Sequence, residues 1–528
     1  MHSQFTNSYD GEKILIIDFW GQFTQNIAKE VRKLGIYSEI IPYHDTITLD
    51  DHVAWVILSG SPCSVNESNS PRIDLDALIW TIPVLGICYG AQLIAHHSGS
   101  TIHSSQHRQY GTSELQCTWT HILWKGIPEE NTVLMSHGDT ITQINKKNMR
   151  SIGISDGVLA AYERTDVDMP VYGVQFHPEV YHSTYGSQMI ANFLFGPCSC
   201  TPDSWTPHNF AESCITNIKK QLGSDRCIMA ISWGVDSTVA ATLIHQAISS
   251  QLTCFFVDNG LLRKWEYEQV LQTYKDIWLN VEGIDAKQRF YDALAGTTEP
   301  EAKRKIIGKV FIDIFQEKAI EHQDARWLWQ WTIYPDVIES VSVGANSSST
   351  IKSHHNVWGL PEDMHVELIE PLRYLFKDDV RRVWRDLGIP EIIIGRHPFP
   401  WPGLAIRIIG QEITAERVAL LQEVDHIFIQ GLKGWKSDDG TVLYEGVWQA
   451  GVMLLPVQSV WVMWDERTYE QTVALRAVHS VDGMTASWVH LPYEFLWHIS
   501  KKIIGEVKGI NRVVYDISDK PPATIEWE

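Results

Sequence analysis

The chain has 528 residues, enough for two to four domains that each bury a core. Its formal net charge of -21, from 43 basic and 64 acidic residues, excludes a surface built to coat nucleic acid, whose footprint is basic. No stretch reaches the roughly 18 apolar residues of a membrane span, and residues 1–13 lack the apolar heart of a signal peptide, so a cytoplasmic protein with no membrane partner is expected.

Residues 13–200 alternate short apolar runs with helical patterns, and Ile14–Asp18, Val56–Leu58, Val84–Ile87 and Val171–Phe176 read as strands. That alternation implies a mostly parallel sheet covered by helices. Gly86-Ile-Cys88-Tyr-Gly90-Ala-Gln92 then sets a cysteine between two glycines, after a strand and before a helix. A sharp turn there exposes a nucleophile at a helix N-terminus, which favours a thiolate and an oxyanion alike. Downstream, His177-Pro-Glu179 follows a strand with a spacing that lets the carboxylate orient the imidazole. Either element alone reads equally as structure: one more buried cysteine, one more turn.

Together they resemble the class I glutamine amidotransferases. The resemblance implies that Cys88 attacks the glutamine side-chain amide, that His177 shuttles protons and that Glu179 holds its tautomer. It also implies that Gln92 and Met135-Ser-His-Gly-Asp139 position glutamine, and that Gly60 and the backbone N–H of Tyr89 form the oxyanion hole. Ser61 stands where that family usually has a second glycine. All eight cysteines lie at or before Cys254, and none forms a Cys-x-x-Cys pair. Free thiols are expected, and the close pair Cys198-x-Cys200 reads as incidental rather than metal-binding.

Gly196-Pro-Cys-Ser-Cys-Thr-Pro202 and Trp205-Thr-Pro207 are rich in breakers and read as a linker. A second α/β unit follows, and a third segment opens with the proline-dense Arg396-His-Pro-Phe-Pro-Trp-Pro-Gly403. The expected boundaries are 13–200, 201–396 and 397–528. In the second unit an apolar run over residues 227–231 leads into Ser232-Trp233-Gly234-Val235-Asp236-Ser237 and a helical pattern. Strand, tight loop and helix N-terminus make a cradle for a polyanion. The six residues resemble the Ser-Gly-Gly-Val-Asp-Ser signature of the ATP pyrophosphatase family, with Trp233 at its first glycine.

Further segments resemble the glutamine-hydrolysing GMP synthetase family over nearly the whole chain. They are residues 256–263, 301–308, 332–340 and 351–356, and the tail Lys520-Pro-Pro-Ala-Thr-Ile-Glu-Trp-Glu528. The resemblance implies an α/β protein of three parts: a flavodoxin-like amidotransferase domain, a doubly wound ATP pyrophosphatase domain and a small α+β C-terminal domain that forms a homodimer. It implies xanthosine 5′-monophosphate (XMP), adenylated at the C2 oxygen, as acceptor of ammonia, with ATP and Mg²⁺ required and no prosthetic group. ATP falls to Ser232, Trp233, Gly234, Val235, Asp236, Ser237, Thr238 and Val257, with Asp236 as magnesium contact. XMP falls to Arg396, Lys520 and Glu526. Two alternatives stay open: another adenylating glutamine-dependent amidotransferase, and a non-catalytic homologue closed by Trp233.

Twenty-two tryptophans is a heavy load. Set against the family pattern, Trp20, Trp233, Trp331, Trp358, Trp401, Trp461 and Trp464 stand at glycine positions, and Trp55, Trp265, Trp278, Trp384 and Trp497 fall in the same class. Trp205, Trp327, Trp448, Trp488 and Trp527 sit where tryptophan is expected. One residue type replacing another, with intact flanks, points to a systematic cause: UGA codons read as Trp that the source organism reads as Gly. An indole at a glycine site with φ > 0 or a close backbone approach is a costly misfit.

Overall fold

The structure is a computed structural model that describes residues 11–117, 121–342, 367–437, 440–463, 466–480 and 485–528. The chain divides into two compact units, one spanning Asn7–Glu212 and the other Ser213–Glu528.

The first unit is built on nine strands: β1 (Lys13–Asp18), β2 (Tyr37–Pro42), β3 (Val53–Leu58), β4 (Val84–Ile87), β5 (Thr101–Cys117), β6 (Glu130–Gln143), β7 (Met149–Ser155), β8 (Val158–Arg164) and β9 (Val171–Val174). Their order in one sheet is β2-β1-β3-β4-β9-β8-β7-β5-β6. β2, β1, β3, β4 and β9 pair in parallel, while the β9–β8, β8–β7, β7–β5 and β5–β6 pairs are antiparallel. β1, β3, β4 and β9 are nearly continuous apolar runs, as parallel strands buried on both faces are, while the edge strand β2 is half-buried and carries Ser38 and Glu39. β6 instead alternates, and Asn131, Val133, Met135, His137 and Asp139 share its buried face.

The expected linker is packed. Cys198, Cys200 and Trp205 are buried, Trp205 N–H donates to Gly35 O at 2.9 Å, and the Arg32 guanidinium lies 5.6 Å from the Trp205 ring. Breaker residues make this stretch irregular, yet its apolar side chains still find the first unit's core.

The second unit opens on five strands: β10 (Arg226–Ala230), β11 (Leu252–Asp258), β12 (Val281–Asp285), β13 (Ala325–Trp329) and β14 (Glu367–Ile369). All pair in parallel in the order β12-β11-β10-β13-β14. The order reverses at β10, and in such doubly wound sheets ligands bind beyond the strand C-termini at the reversal. A long ribbon of β15 (Gln449–Met463) and β16 (Glu466–His479) follows, with β17 (Ser487–Trp488) antiparallel and β18 (Ile510–Tyr515) parallel to β16. The sequence on either side of residue 396 shares one apolar core: Leu261, Phe290 and Ile307 pack with Leu404, Phe428, Val452 and Phe495.

Candidate active site

Parallel pairing of β4 with β9 aligns Ile87 with Val174, so the residues just beyond both strands meet. Cys88 N–H donates to Val174 O at 2.8 Å, and the helix Tyr89–His97 starts at once. Cys88 holds φ 52°, left-handed backbone that a non-glycine residue adopts under constraint. Both flanking glycines are steric necessities: a Cβ on Gly86 would stand 2.7 Å from Ala91 N, and one on Gly90 2.5 Å from Leu58 O.

His177 and Glu179 are buried, with Nδ1 and Oε1 2.7 Å apart. Burial alone would lower the imidazole's proton affinity, but the Glu179 charge and a hydrogen bond with Cys88 outweigh it and push its pKa up to about 10. Gly60 completes the group, because a Cβ there would lie 3.2 Å from His177 Cε1 and 3.7 Å from Cys88 Cβ. Ser61, at the expected second glycine, does not carry positive φ, and its hydroxyl accepts from Cys63 N–H at 3.1 Å. A serine therefore fits this turn without strain.

A cavity of about 640 Å³ opens over Cys88 and His177, lined also by Gly60, Gln92, His137 and Asp139. Gln92 Nε2 donates to Asp139 O at 2.8 Å and to Gln175 Oε1 at 3.2 Å. Gln175, two residues before His177, sends its own Nε2 toward Cys88 Sγ at 3.8 Å; sequence reasoning missed it, and its only signal was the strand leading into His177. The Tyr89 hydroxyl is committed elsewhere, to Pro71 O at 2.5 Å, which leaves its backbone as the part that can serve an oxyanion.

In the second unit, the loop between β10 and the helix Val235–Ile248 is cross-braced. Ser237 Oγ donates to Ser232 O at 2.8 Å, and Ser232 Oγ lies 2.9 Å from Ser237 Oγ and accepts from Gly234 N–H at 3.2 Å. Thr238 Oγ1 donates to Gly234 O at 2.8 Å, and the Tyr274 hydroxyl donates to Ser232 O at 2.6 Å. Asp236 Oδ1 is buried with no hydrogen-bond partner, and burial raises its pKa against the pull of Lys377. Val257, the penultimate residue of β11, lies beside this loop, since Phe255 pairs with Ala230.

Three family models match successive parts of the chain. Residues 15–196 match the class-I glutamine amidotransferase family, 209–402 the NAD synthase family and 439–527 the GMP synthase C terminal domain. A protein of Cytophaga hutchinsonii named GMP synthase (glutamine-hydrolyzing) is 57% identical over 98% of this chain and 100% of its own length. Namesakes from Bacteroides fragilis and Christiangramia forsetii are each 54% identical over 98% of this chain, and over 100% and 99% of their own lengths. The chain belongs to the glutamine-hydrolysing GMP synthase family.

In this GMP synthase family member a cationic cluster gathers on the ring of Phe399. The guanidinium carbons of Arg263, Arg407 and Arg396 lie 5.0, 5.2 and 5.9 Å from its centroid. Arg407 grips Glu526 with two bonds of 3.0 and 2.8 Å, and Gln449 Nε2 adds a third at 3.0 Å. Arg396 pairs with Glu266. Lys520 lies six residues back on the same tail, where its backbone exchanges two hydrogen bonds with Ala486. Arg407 and Phe399 escaped sequence reasoning, though Phe399 lies in the proline-dense stretch and Arg263 in a quoted family segment.

The tryptophans separate into kinds. Trp20, Trp265 and Trp278 hold φ of 66°, 60° and 63°, three of the eight non-glycine residues with positive φ among the described residues. Trp233, Trp331 and Trp401 do not, so a left-handed backbone is not what makes them misfits. Trp233 is half-buried, with its ring 5.9 Å from that of Tyr274, the Arg396 guanidinium 5.5 Å from its centroid, and its indole N–H buried without a partner. Trp331 follows β13 as Trp233 follows β10, so both stand where the sheet order reverses. Trp384 differs again: it is fully buried, and its N–H donates to Ile389 O at 2.9 Å. Trp358 and Trp464 lie outside the described residues, as does the segment 351–356.

Proposed function

We propose that the chain makes GMP from XMP, ATP and glutamine, releasing AMP, diphosphate and glutamate, with glutamine hydrolysis in residues 13–200, adenylation in 201–396, and nucleotide binding and homodimerisation in 397–528. The observation that carries this reading is the Cys88 elbow facing the His177–Glu179 pair, in a chain that matches glutamine-hydrolysing GMP synthases from end to end.

Cys88 Sγ adds to the glutamine amide carbon with the thiol proton already held by His177, whose ring stays charged well above neutral pH. The oxyanion is held by the Tyr89 N–H and the Gly60 turn, and His177 returns the proton to departing ammonia. Water then cleaves the thioester to glutamate. Gln92 and Asp139 hold the amino acid in the cavity. In the adenylating part, the XMP C2 oxygen attacks the α-phosphorus of ATP, diphosphate leaves, and ammonia displaces AMP from C2.

Ser232, Gly234, Val235, Asp236, Ser237 and Thr238 cradle the ATP phosphates, and Val257 flanks the adenosine. A hard cation suits the orphaned Asp236 oxygen, so Asp236 would hold Mg²⁺, which offsets charge on the leaving diphosphate. Arg396, Lys520 and Glu526 take XMP, the cations suiting its phosphate and the carboxylate its purine or ribose. A cytoplasmic location suits these substrates, and no described helix is long and apolar enough to cross a membrane.

A second reading has one observation in its favour. The Trp233 indole lies beside Arg396, where a phosphate would compete for the guanidinium, and so the protein as written has an impaired ATP site. The test is glutamate release and XMP-dependent AMP release in parallel, with Cys88→Ala as control. The first reading expects both activities, with Cys88→Ala losing glutamine-dependent but keeping ammonia-dependent amination. Glutamate release without XMP-dependent AMP release selects the second, and glutamate release that survives Cys88→Ala sinks both.

A further inference from the structure

The last five residues are held by three buried cations from three different elements. Arg476, on β16, donates to Thr524 O at 2.7 Å and to Ile525 O at 2.8 Å. Arg407 takes the Glu526 carboxylate, as described. Lys303, near the start of the helix Pro300–Glu321, donates from Nζ to Glu528 Oε2 at 2.7 Å and to Ile408 O at 2.7 Å. The second Glu528 oxygen accepts from Gly410 N–H at 2.6 Å.

Lys303 is the informative member. Its side chain is 0% exposed, and that of Glu528 is 6% exposed. A buried ammonium stripped of its carboxylate carries a penalty of several kcal/mol, so Lys303 and Glu528 depend on each other for their buried state. Arg407 has Asp425 as well as Glu526, 3.6 Å away, and keeps a counter-charge if the tail lifts. The charge partner that Lys303 holds at 2.7 Å is the tail itself. The pair also ties the tail to the turn 408–410, immediately after Arg407.

We propose that Lys303 and Glu528 form a latch that seats the C-terminal tail, and that Lys303 is thereby a positioning residue for nucleotide binding. Lys303 touches no substrate; it fixes the chain end two residues beyond Glu526 and eight beyond Lys520. The inference rests on the reading that Lys520 and Glu526 contact XMP.

The experiment is titration calorimetry of XMP binding, which needs no ATP turnover, on the protein, Lys303→Met, Glu528→Gln, the double variant and Glu526→Gln. Hydrogen exchange over residues 518–528 and the thermal midpoint are followed in each. The expected result is a rise in Kd on the order of tenfold for each latch variant, faster exchange of the tail, and a double variant no worse than either single one, since both break one device. Glutamate release should be unchanged in Lys303→Met, Glu528→Gln and the double variant. Glu528→Gln, at the chain end, carries the test if Lys303→Met does not fold. An unchanged Kd in the latch variants with a raised Kd in Glu526→Gln overturns the latch and keeps the nucleotide site. An unchanged Kd in Glu526→Gln overturns the site reading too, and a lowered midpoint with unchanged Kd reduces the pair to a structural role.

Discussion

At the scale of single residues, the His177–Glu179 pair makes a claim about pH. The imidazole's pKa is raised from 6.5 to about 10 in the folded chain, despite burial, because Glu179 and Cys88 favour the charged ring. A group whose folded pKa exceeds its unfolded value stabilises the fold fully below the unfolded value, and loses that contribution as pH rises through the folded one. Replacing Glu179 by Gln removes the main source of the rise. We therefore expect Glu179→Gln to cost the first unit about 3 kcal/mol at pH 6, and the gap to shrink steadily toward pH 10. Denaturant unfolding at several pH values measures it, and a gap that stays constant across the range would show that the pair does not titrate as described.

This pair and Cys88 were legible in the sequence because motif spacing encodes them: Cys88 directly follows β4, His177 lies three residues past β9, and the two strands proved to be neighbours. Gln175 and Arg407 were not, since nothing local marks a polar side chain whose partner lies 87 or 119 positions away. The tail contacts of Glu526 and Glu528 are of the same kind: two carboxylates in a charged terminus carry no sign of the buried cations that receive them.

At the scale of elements, the parallel strands β1, β3, β4, β9 and β10 were readable as apolar runs, but the edge strand β2 and the four antiparallel strands β5–β8 were not. Thr101–Cys117 is mostly polar, because one antiparallel face can meet water. Turn chemistry separates the tryptophans in the same way. Trp278 is 83% exposed, holds φ 63°, and follows the helix Glu266–Asp276 where a chain reversal favours glycine. Removing the indole gives up little burial and relieves a left-handed residue, so Trp278→Gly should stabilise the second unit by about 1 kcal/mol. Trp384 lies inside the helix Lys377–Asp386, fully buried and hydrogen-bonded, so Trp384→Gly should cost about 4 kcal/mol or more. Denaturant midpoints of the two variants should move in opposite directions. If both rise, Trp384 belongs with the glycine positions after all, and if both fall, the left-handed backbone at Trp278 is not a source of strain.

At the scale of the whole molecule, the first unit brings its elbow, charged pair and cavity together, while the second carries an indole in the loop proposed to hold phosphate. A loop of this kind stabilises phosphate through backbone that the ligand can approach closely, and an indole lying against the Arg396 guanidinium works against that approach. The backbone at Trp233 is not left-handed, so replacing it by Gly relieves no strain; its effect is on access. Trp233→Gly should therefore leave the unfolding midpoint of the second unit nearly unchanged, yet tighten ATP binding by at least tenfold, about 1.4 kcal/mol. Trp331→Gly, at the other strand end where the sheet order reverses, should add to the gain. Glutamate release should respond to neither. The coding DNA offers an independent check, because UGA at Trp20, Trp233, Trp278 and Trp331 beside UGG at Trp327 and Trp527 would mean that the organism's own protein carries the glycines. Equal ATP affinity in the protein and in Trp233→Gly would instead show that the indole swings clear of the loop, and the misfit would then lie in the sequence alone.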